Sequence, residues 1–250
     1  NLRVAMFNNI IGTRTVAELS EKNHVKNFVL ISTDKAVNPT NIMGATKRAS
    51  EIFCQTYNLQ TKTKFMTVRF GNVLNSAGSV IPLFRQQLLS GGPITVTHPD
   101  ITRYFMTIPE ASQLILQAAT IAEGDIFVLD MGEPININYL AEQMVKLSGK
   151  EIGKDIEIKY TGLRAGEKLH EELLYENENI CNTSHPQIKQ ANVQTYEWNH
   201  IIHLIDQIEH ACLQGDEVQL KKLLCRLVPE YRAPENAIQQ KTSHPTLAYV

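Results

Sequence analysis

The feature that most constrains the fold is a short apolar run that ends on polar groups. Phe28-Val29-Leu30-Ile31 is uninterrupted and partly β-branched, the pattern of a buried parallel strand. It stops at Ser32-Thr33-Asp34-Lys35. A turn over Asn38-Pro39-Thr40-Asn41 then leads into a helix near Met43. In open α/β sheets, ligands bind in the crevice beyond the carboxyl ends of the strands. A strand end there with a hydroxyl, a carboxylate and an amine on successive residues offers hydrogen-bonding and acid–base groups together. The same residues also suit a plain turn and helix cap, with the lysine as a solvated charge. Lys47 follows Met43 by one helical turn and faces the same way. A second strand end, Arg69-Phe70-Gly71-Asn72-Val73-Leu74, is placed to lie beside the first.

The flanking periodicity predicts a helix over 3–23, with Val4, Phe7, Ile10, Ile11, Val16 and Leu19 as its apolar positions. Gly12 inside that helix points to close packing against a strand or ligand. Helices are expected over 43–57, packing through Ala45, Ala49, Ile52 and Phe53, and over 80–89, stopped by Gly91-Gly92-Pro93. Strand 65–70 lies between them. This alternation is the grammar of a parallel sheet with crossover helices. Further on, strand-like pieces fall at 94–97, 103–107, 126–130 and 156–160. Helices are expected from Pro109 to about Ala122 and from Tyr139 to Ser148, the latter capped by Asn138. Two helices between Trp198 and Val228 break at Gly215-Asp216, and 229–250 reads as a disordered tail.

Composition narrows the function. The net charge is −2 over 250 residues with no basic block, which argues against a nucleic-acid partner. No apolar run approaches the roughly 18 residues of a membrane span. No signal-peptide pattern opens the chain. Cys54, Cys181, Cys212 and Cys225 lack metal-ligand or CxxC spacing and read as ordinary thiols in a reducing compartment. The histidines show no ligand spacing, so no metal is expected. The chain starts at Asn1 almost at once in a helical pattern, so it is expected to be the carboxyl part of something longer.

Several segments in order carry a family resemblance: Asn8-Asn9-x-x-Gly12-Thr13, Ser32 to Asn41, Gly44-Ala45-Thr46-Lys47, Arg69 to Val73, Gly78-Ser79-Val80-Ile81-Pro82, Thr102 to Thr107, and Arg164-Ala165-Gly166-Glu167-Lys168-Leu169. Together they resemble the extended short-chain dehydrogenase/reductase superfamily over roughly residues 1–190, and within it the nucleotide-sugar 4,6-dehydratases of polysaccharide and glycan biosynthesis. The resemblance implies an α/β, Rossmann-like parallel sheet with crossover helices, its amino-terminal half missing, plus a small α+β substrate-binding region. The expected units are 1–92, the second half of an NAD-binding domain; 93–195, mostly substrate-binding, with 108–130 returning to the sheet; 196–228, a helical extension; and the tail.

The resemblance also implies the chemistry. C4 of a UDP-sugar, usually UDP-N-acetylglucosamine, is oxidised with NAD, the C5 proton and C6 hydroxyl are lost, and the hydride returns to C6. Asp34 is then the acid, Lys35 the base, and Thr33 the partner of the C4 oxygen. Lys47 grips the nicotinamide ribose, with Ser32 and Asn9 also assigned to the cofactor. Met43, Asn72, Ser79, Val80, Arg103, Arg164 and Glu167 are assigned to substrate. Two departures stand out. Met43 occupies the usual tyrosine position, and a thioether does no acid–base work; related large dehydratases, whose parent chains carry an amino-terminal membrane region, also have methionine there. The glycine-rich pyrophosphate turn is missing, so this piece alone is expected to fold and bind NAD poorly. A homo-oligomer is expected, with the helices at 43–57 and 80–89 as a dimer face, in the cytoplasm, the parent chain being anchored through its amino-terminal region. The alternatives are a nucleotide-sugar 4-epimerase and a non-catalytic binding or assembly fragment.

Overall fold

The computed structural model describes residues 1–121, 125–175, 178–191 and 196–234. The chain opens on α1 (Leu2–Met6), a π-helical turn (Phe7–Ile11) and α2 (Gly12–Lys22), followed by β1 (Asn27–Ile31). Next come α3 (Ile42–Asn58), β2 (Lys64–Arg69), β3 (Asn72–Val73) and α4 (Val80–Leu89). The middle of the chain carries β4 (Ile94–Val96), β5 (Thr102–Arg103), β6 (Phe105–Met106), α5 (Ile108–Ala118), β7 (Ile126–Leu129), β8 (Ile135–Asn136), α6 (Ile137–Leu147) and β9 (Ile158–Tyr160). β10 (Ile180–Asn182), β11 (Ile188–Ala191), α7 (Trp198–Gln214) and α8 (Glu217–Leu227) complete it.

Among the described residues the main sheet has the order β1-β2-β7-β11-β10. β1, β2 and β7 run parallel, as the alternation of helices and strands predicts. β11 adds antiparallel to β7, and β10 antiparallel to β11. The sequence reading missed this hairpin, because Ile180-Cys181-Asn182 is exposed throughout and shows no period. It brings 180–191 back to the sheet, beyond the 108–130 stretch. β1 lies at the sheet edge with only Leu30 buried, while β2 and β7 are the buried strands. Small two-stranded ladders, β3 with β6 and β5 with β8, extend from the carboxyl side of the sheet toward a separate apolar core around Phe84, Ile94, Val96 and Ile137.

The largest core joins α1, the π turn, α3, β1 and β2 to α7 and α8. α3 starts on an Asn41 cap and is buried from Gly44 to Thr56 apart from Lys47, with Ala45, Ala49, Ile52 and Phe53 fully inside. α7 and α8 pack on α3, which leaves little of it exposed for the dimer face expected over 43–57 and 80–89. The first helical stretch also differs. Leu2, Met6, Ile10, Ile11 and Ala17 are buried, whereas Val4, Phe7, Val16 and Leu19 are exposed. The π turn adds a residue to the helix and rotates its face. Gly12 is not needed for close packing, since a Cβ there meets only an ordinary contact at 3.7 Å.

Other boundaries shift. α5 ends at Ala118, and the cap of α6 is Asn136, whose Oδ1 accepts from the Tyr139 N–H, rather than Asn138. Within the expected tail, Tyr231 packs on the helical core and the Arg232 N–H donates to the Pro39 carbonyl; residues 235–250 lie outside the described residues. Among the described residues no helix is long and apolar enough to cross a membrane.

Candidate active site

The parallel pairing of β1 and β2 runs past the strand ends: the Ser32 and Asp34 N–H groups donate to the Val68 and Phe70 carbonyls at 2.8 and 3.0 Å. The chain then tightens into a 3-10 turn over Asp34–Ala36, capped by Thr33. α3 begins directly against this turn. A Cβ on Gly44 would lie 2.0 Å from the Lys35 carbonyl oxygen, so only glycine permits the approach. A second loop, from more than 120 residues later in the chain, is strapped on. Gly166, at φ +76°, sits where a Cβ would be 2.4 Å from the Thr40 carbonyl oxygen. Thr40 Oγ1 and Asn41 Nδ2 donate to the Gly166 carbonyl at 2.7 and 3.3 Å, and Lys168 Nζ donates to the Val37 carbonyl at 3.0 Å. The polar loop 163–169 is thereby fixed beside Asp34 and Lys35.

Asp34 is fully buried. Its Oδ1 accepts from Thr33 Oγ1 at 2.8 Å and from Lys35 Nζ at 2.9 Å. Its Oδ2 is buried without a partner. Lys35 Nζ also donates to Asn72 Oδ1 at 2.9 Å. The plainer reading holds only in part: Thr33 caps the turn, but Lys35 is an ion-pair partner of Asp34 and not a solvated charge. Lys35 in addition lines a cavity of about 420 Å³ shared with Asn72, Ser79, Val80, Arg103, Arg164 and Glu167. Ser79 caps α4 without a side-chain bond, and its Oγ is buried and unpaired. A helix N-terminus with a spare hydroxyl suits an anionic group.

Arg103 is nearly buried and already engaged. Its Nη1 donates to the Thr102 and Leu169 carbonyls at 2.7 and 3.3 Å, and its Nη2 to Glu167 Oε1 at 3.2 Å. Glu167, assigned to substrate, is thus held by Arg103, and its Oε2 accepts from the Arg164 N–H at 3.1 Å. Arg164 itself is exposed at the cavity.

The cofactor assignments fare differently. Lys47 Nζ donates to the Ile31 carbonyl at 3.1 Å, at the carboxyl end of β1 and outside the cavity. Burial lowers its affinity for a proton, with Glu51 opposing. Ser32 is turned inward: its Oγ donates to Glu51 Oε1 at 2.6 Å, because a buried carboxylate needs donors. Asn9 Nδ2 donates to Thr46 Oγ1 at 2.9 Å and ties the π turn to α3. Met43 is 42% exposed and does not line the cavity.

Sequence reasoning missed two sets of residues. The first is a buried ion cluster centred on Glu51. Arg69 donates to both oxygens of Glu51 at 2.9 and 2.7 Å and to Glu178 at 2.9 Å. Arg48 donates to Glu51 at 3.0 Å, Glu230 at 2.8 Å and Tyr196 Oη at 2.9 Å. Burial alone would raise the Glu51 proton affinity, but the two guanidiniums hold it below the ordinary carboxylate range. The second is Glu171, whose Oε1 lies 3.9 Å from Lys35 Nζ and 3.7 Å from Arg103 Nε. Burial pushes its carboxyl up; Lys35 opposes this and Asp34 adds to it. Among the described residues no group of three or more His, Cys, Asp or Glu is placed to hold a metal ion.

Residues 1–193 match the family described as polysaccharide biosynthesis protein. The chain belongs to that family. It is similar to the capsular polysaccharide biosynthesis protein CapD of Staphylococcus aureus, 59% identical over 71% of this chain and 30% of that protein. It is also similar to the probable polysaccharide biosynthesis protein EpsC of Bacillus subtilis, 50% identical over 82% of this chain and 34% of that protein. The chain thus spans about a third of the length of these curated relatives. The solved structure of Pen from Bacillus thuringiensis aligns with a TM-score of 0.65 at 34% identity, covering 79% of this chain and 67% of that one. Nucleotide-sugar epimerases and a 4,6-dehydratase share the fold at 19–21% identity, an epimerase and the dehydratase having been solved with NAD. Relatives named UDP-glucose 4-epimerase are 35–37% identical over 68–70% of the chain. The family and the Rossmann-like α/β fold agree with the resemblance read from the motifs.

Proposed function

We propose that this chain carries the proton-transfer and substrate-binding part of an NAD-dependent nucleotide-sugar 4,6-dehydratase. Its substrate is a UDP-N-acetylhexosamine, UDP-N-acetylglucosamine by preference, and its product a 4-keto-6-deoxy sugar nucleotide for surface polysaccharide or glycan. One observation carries this reading. Lys35, in contact with the buried Asp34, opens into the cavity that also gathers Asn72, Ser79, Arg103 and Arg164. An elimination across C5 and C6 requires a base and an acid within reach of those carbons; Lys35 lines the cavity and Asp34 stands directly behind it.

The residues present fit the nicotinamide–ribose end of NAD, since Lys47 stands at the carboxyl end of β1 with Thr33 two residues beyond Ile31. The described residues include no glycine-rich turn joining a strand directly to a helix, so they do not supply a pyrophosphate cradle. NAD, when bound, supplies a hydride acceptor at C4 and a hydride donor at C6. The rest falls to side chains. The Lys35–Asp34 ion pair and the neutral amine with its neutral acid differ by one proton moved along the 2.9 Å Nζ–Oδ1 bond. In the neutral form Lys35 takes the C5 proton, acidified by the C4 ketone. Asp34 gives its proton to the C6 oxygen, which leaves as water. The proton then held by Lys35 is available to return to C5. Thr33, bonded to Asp34, is assigned to the C4 oxygen. Asn72 orients the Lys35 amine. The α4 N-terminus at Ser79, with Arg164, receives the diphosphate.

A 4-epimerase is the second reading, favoured by the relatives that carry that name. It needs no acid and base at C5 and C6, so the Asp34–Lys35 contact weighs against it. The test is to incubate the intact protein with NAD and UDP-N-acetylglucosamine and follow product mass. Loss of one water supports the dehydratase, an isomer of unchanged mass supports the epimerase, and no turnover with retained nucleotide binding leaves a binding module.

A further inference from the structure

Glu171 has no place in the mechanism above, yet it is the carboxylate that meets both ends of the site. Its side chain is 5% exposed and does not line the cavity. The same oxygen, Oε1, lies within ion-pair distance of Lys35 Nζ and Arg103 Nε, at 3.9 and 3.7 Å. These contacts are longer than the 2.9 Å bonds that Lys35 makes to Asp34 and Asn72. The backbone that carries Glu171 is held independently, by Gly166 against Thr40 and by Lys168 on the Val37 carbonyl. Glu171 therefore sits at a fixed point behind two cations that serve different tasks: one at the reacting carbons, one on the wall of the cavity.

We propose that Glu171 is a positioning residue of this site, acting on the Lys35 amine and on the Arg103 guanidinium through one shared oxygen. The inference rests on the dehydratase reading and deepens it. Asp34 and Asn72 accept two of the three ammonium protons, and a charge behind the third direction limits where the amine swings. The same charge stands beside Arg103 Nε, while Glu167 accepts from its Nη2. The charged groups around Glu171 are Lys35, Asp34, Arg103 and Lys168.

The test compares Glu171→Gln, Glu171→Asp and Lys35→Ala in the intact protein, with keto-sugar formation, UDP binding by calorimetry and thermal stability measured together. For Glu171→Gln the expected result is a fall in kcat of roughly 10- to 100-fold with KM changed less than about 3-fold. The rising limb of its pH–rate profile moves to lower pH, because a negative neighbour of the ammonium is gone. Glu171→Asp keeps the charge one methylene back and recovers part of the rate. A purely structural role lowers the melting temperature without moving the limb. If Lys35→Ala is inactive while Glu171→Gln keeps the wild-type kcat and profile, the inference falls and the dehydratase reading stands. If the wild type itself forms no keto product, both fall. Should Glu171→Gln not fold, Glu171→Asp carries the same test: a wild-type kcat and profile overturn the inference.

Discussion

Ser32 and Asp34 are two residues apart and belong to two different charged clusters. Ser32 enters the cluster around Glu51, where each oxygen of the carboxylate is met by donors at 2.6–3.0 Å and both arginines go on to a second acid. Asp34 enters the cluster around Lys35, which is left unfinished. One oxygen of Asp34 and the Ser79 hydroxyl have no partner, and Glu171 stands 3.7–3.9 Å from its cations. A fully satisfied buried network fixes one shape, whereas a partly satisfied one beside a cavity keeps places for a ligand. The two central acids differ in the same sense. Guanidinium neighbours override burial at Glu51 and hold its carboxyl low, while burial prevails at Glu171 and pushes it up.

That contrast has the largest consequence at Glu51. Glu51→Gln leaves two buried guanidiniums short of charge and is expected to cost about 3–5 kcal/mol of stability, read by urea denaturation. A cost below about 1 kcal/mol means that the cluster does not hold the turn. The pH dependence has a definite sign. Glu51 holds a proton less readily folded than unfolded, so its stabilisation is complete above the ordinary carboxylate range and is lost as pH falls through its folded value. Glu171 works the other way: its contribution is complete below the ordinary range and is lost as pH rises through the raised value. Glu51→Gln should therefore flatten the acid side of the stability curve, and Glu171→Gln should remove a penalty near neutral pH; melting temperatures across acid and neutral buffers measure both.

The joint between the clusters comes next. Gly44→Ala puts a methyl 2.0 Å from the Lys35 carbonyl oxygen and forces backbone to move, at an expected cost of about 1–3 kcal/mol. Turnover should fall further than stability, because the displaced residue is Lys35. Equal losses in both indicate a packing defect alone. On the cavity side, Arg103→Lys removes a forked donor and is expected to weaken UDP binding about 10-fold, measured by calorimetry, with a fall in stability of about 1–3 kcal/mol because buried carbonyls lose their donors. The smallest effect belongs to Met43→Leu, a volume-conserving change at a half-exposed position, expected to alter turnover less than about 2-fold. A larger loss means that Met43 touches the substrate.

The unfinished cluster was easier to read from sequence than the finished one. Thr33, Asp34 and Lys35 follow a strand and are marked by where it stops, whereas Asn72, Ser79, Arg164 and Glu167 were reached through the motifs that carry the family resemblance. α3 and α4 were legible from apolar period and glycine or asparagine at their ends. Arg48, Glu51 and Arg69 carry no such mark. On a helix or strand, a charge reads as solvent-facing, and the partners that bury these lie up to 182 residues away. Glu171 was hidden among neighbouring acids in the same way. Ser32 was assigned to the cofactor through the resemblance; the demand of Glu51 for a donor turned it inward. The exposed stripe of α1 and α2 was misread because a π turn changes the helical period, which no local residue announces.

The central claim is that Lys35 moves the C5 proton of a nucleotide sugar while Asp34 delivers one to C6. The most direct measurement is to run the intact protein with NAD and UDP-N-acetylglucosamine in heavy water and locate deuterium in the product, for the wild type and for Lys35→Ala. The predicted result is a dehydrated 4-keto sugar labelled at C5 from the wild type and none from Lys35→Ala. A dehydrated product formed at the normal rate by Lys35→Ala, labelled or not, contradicts it.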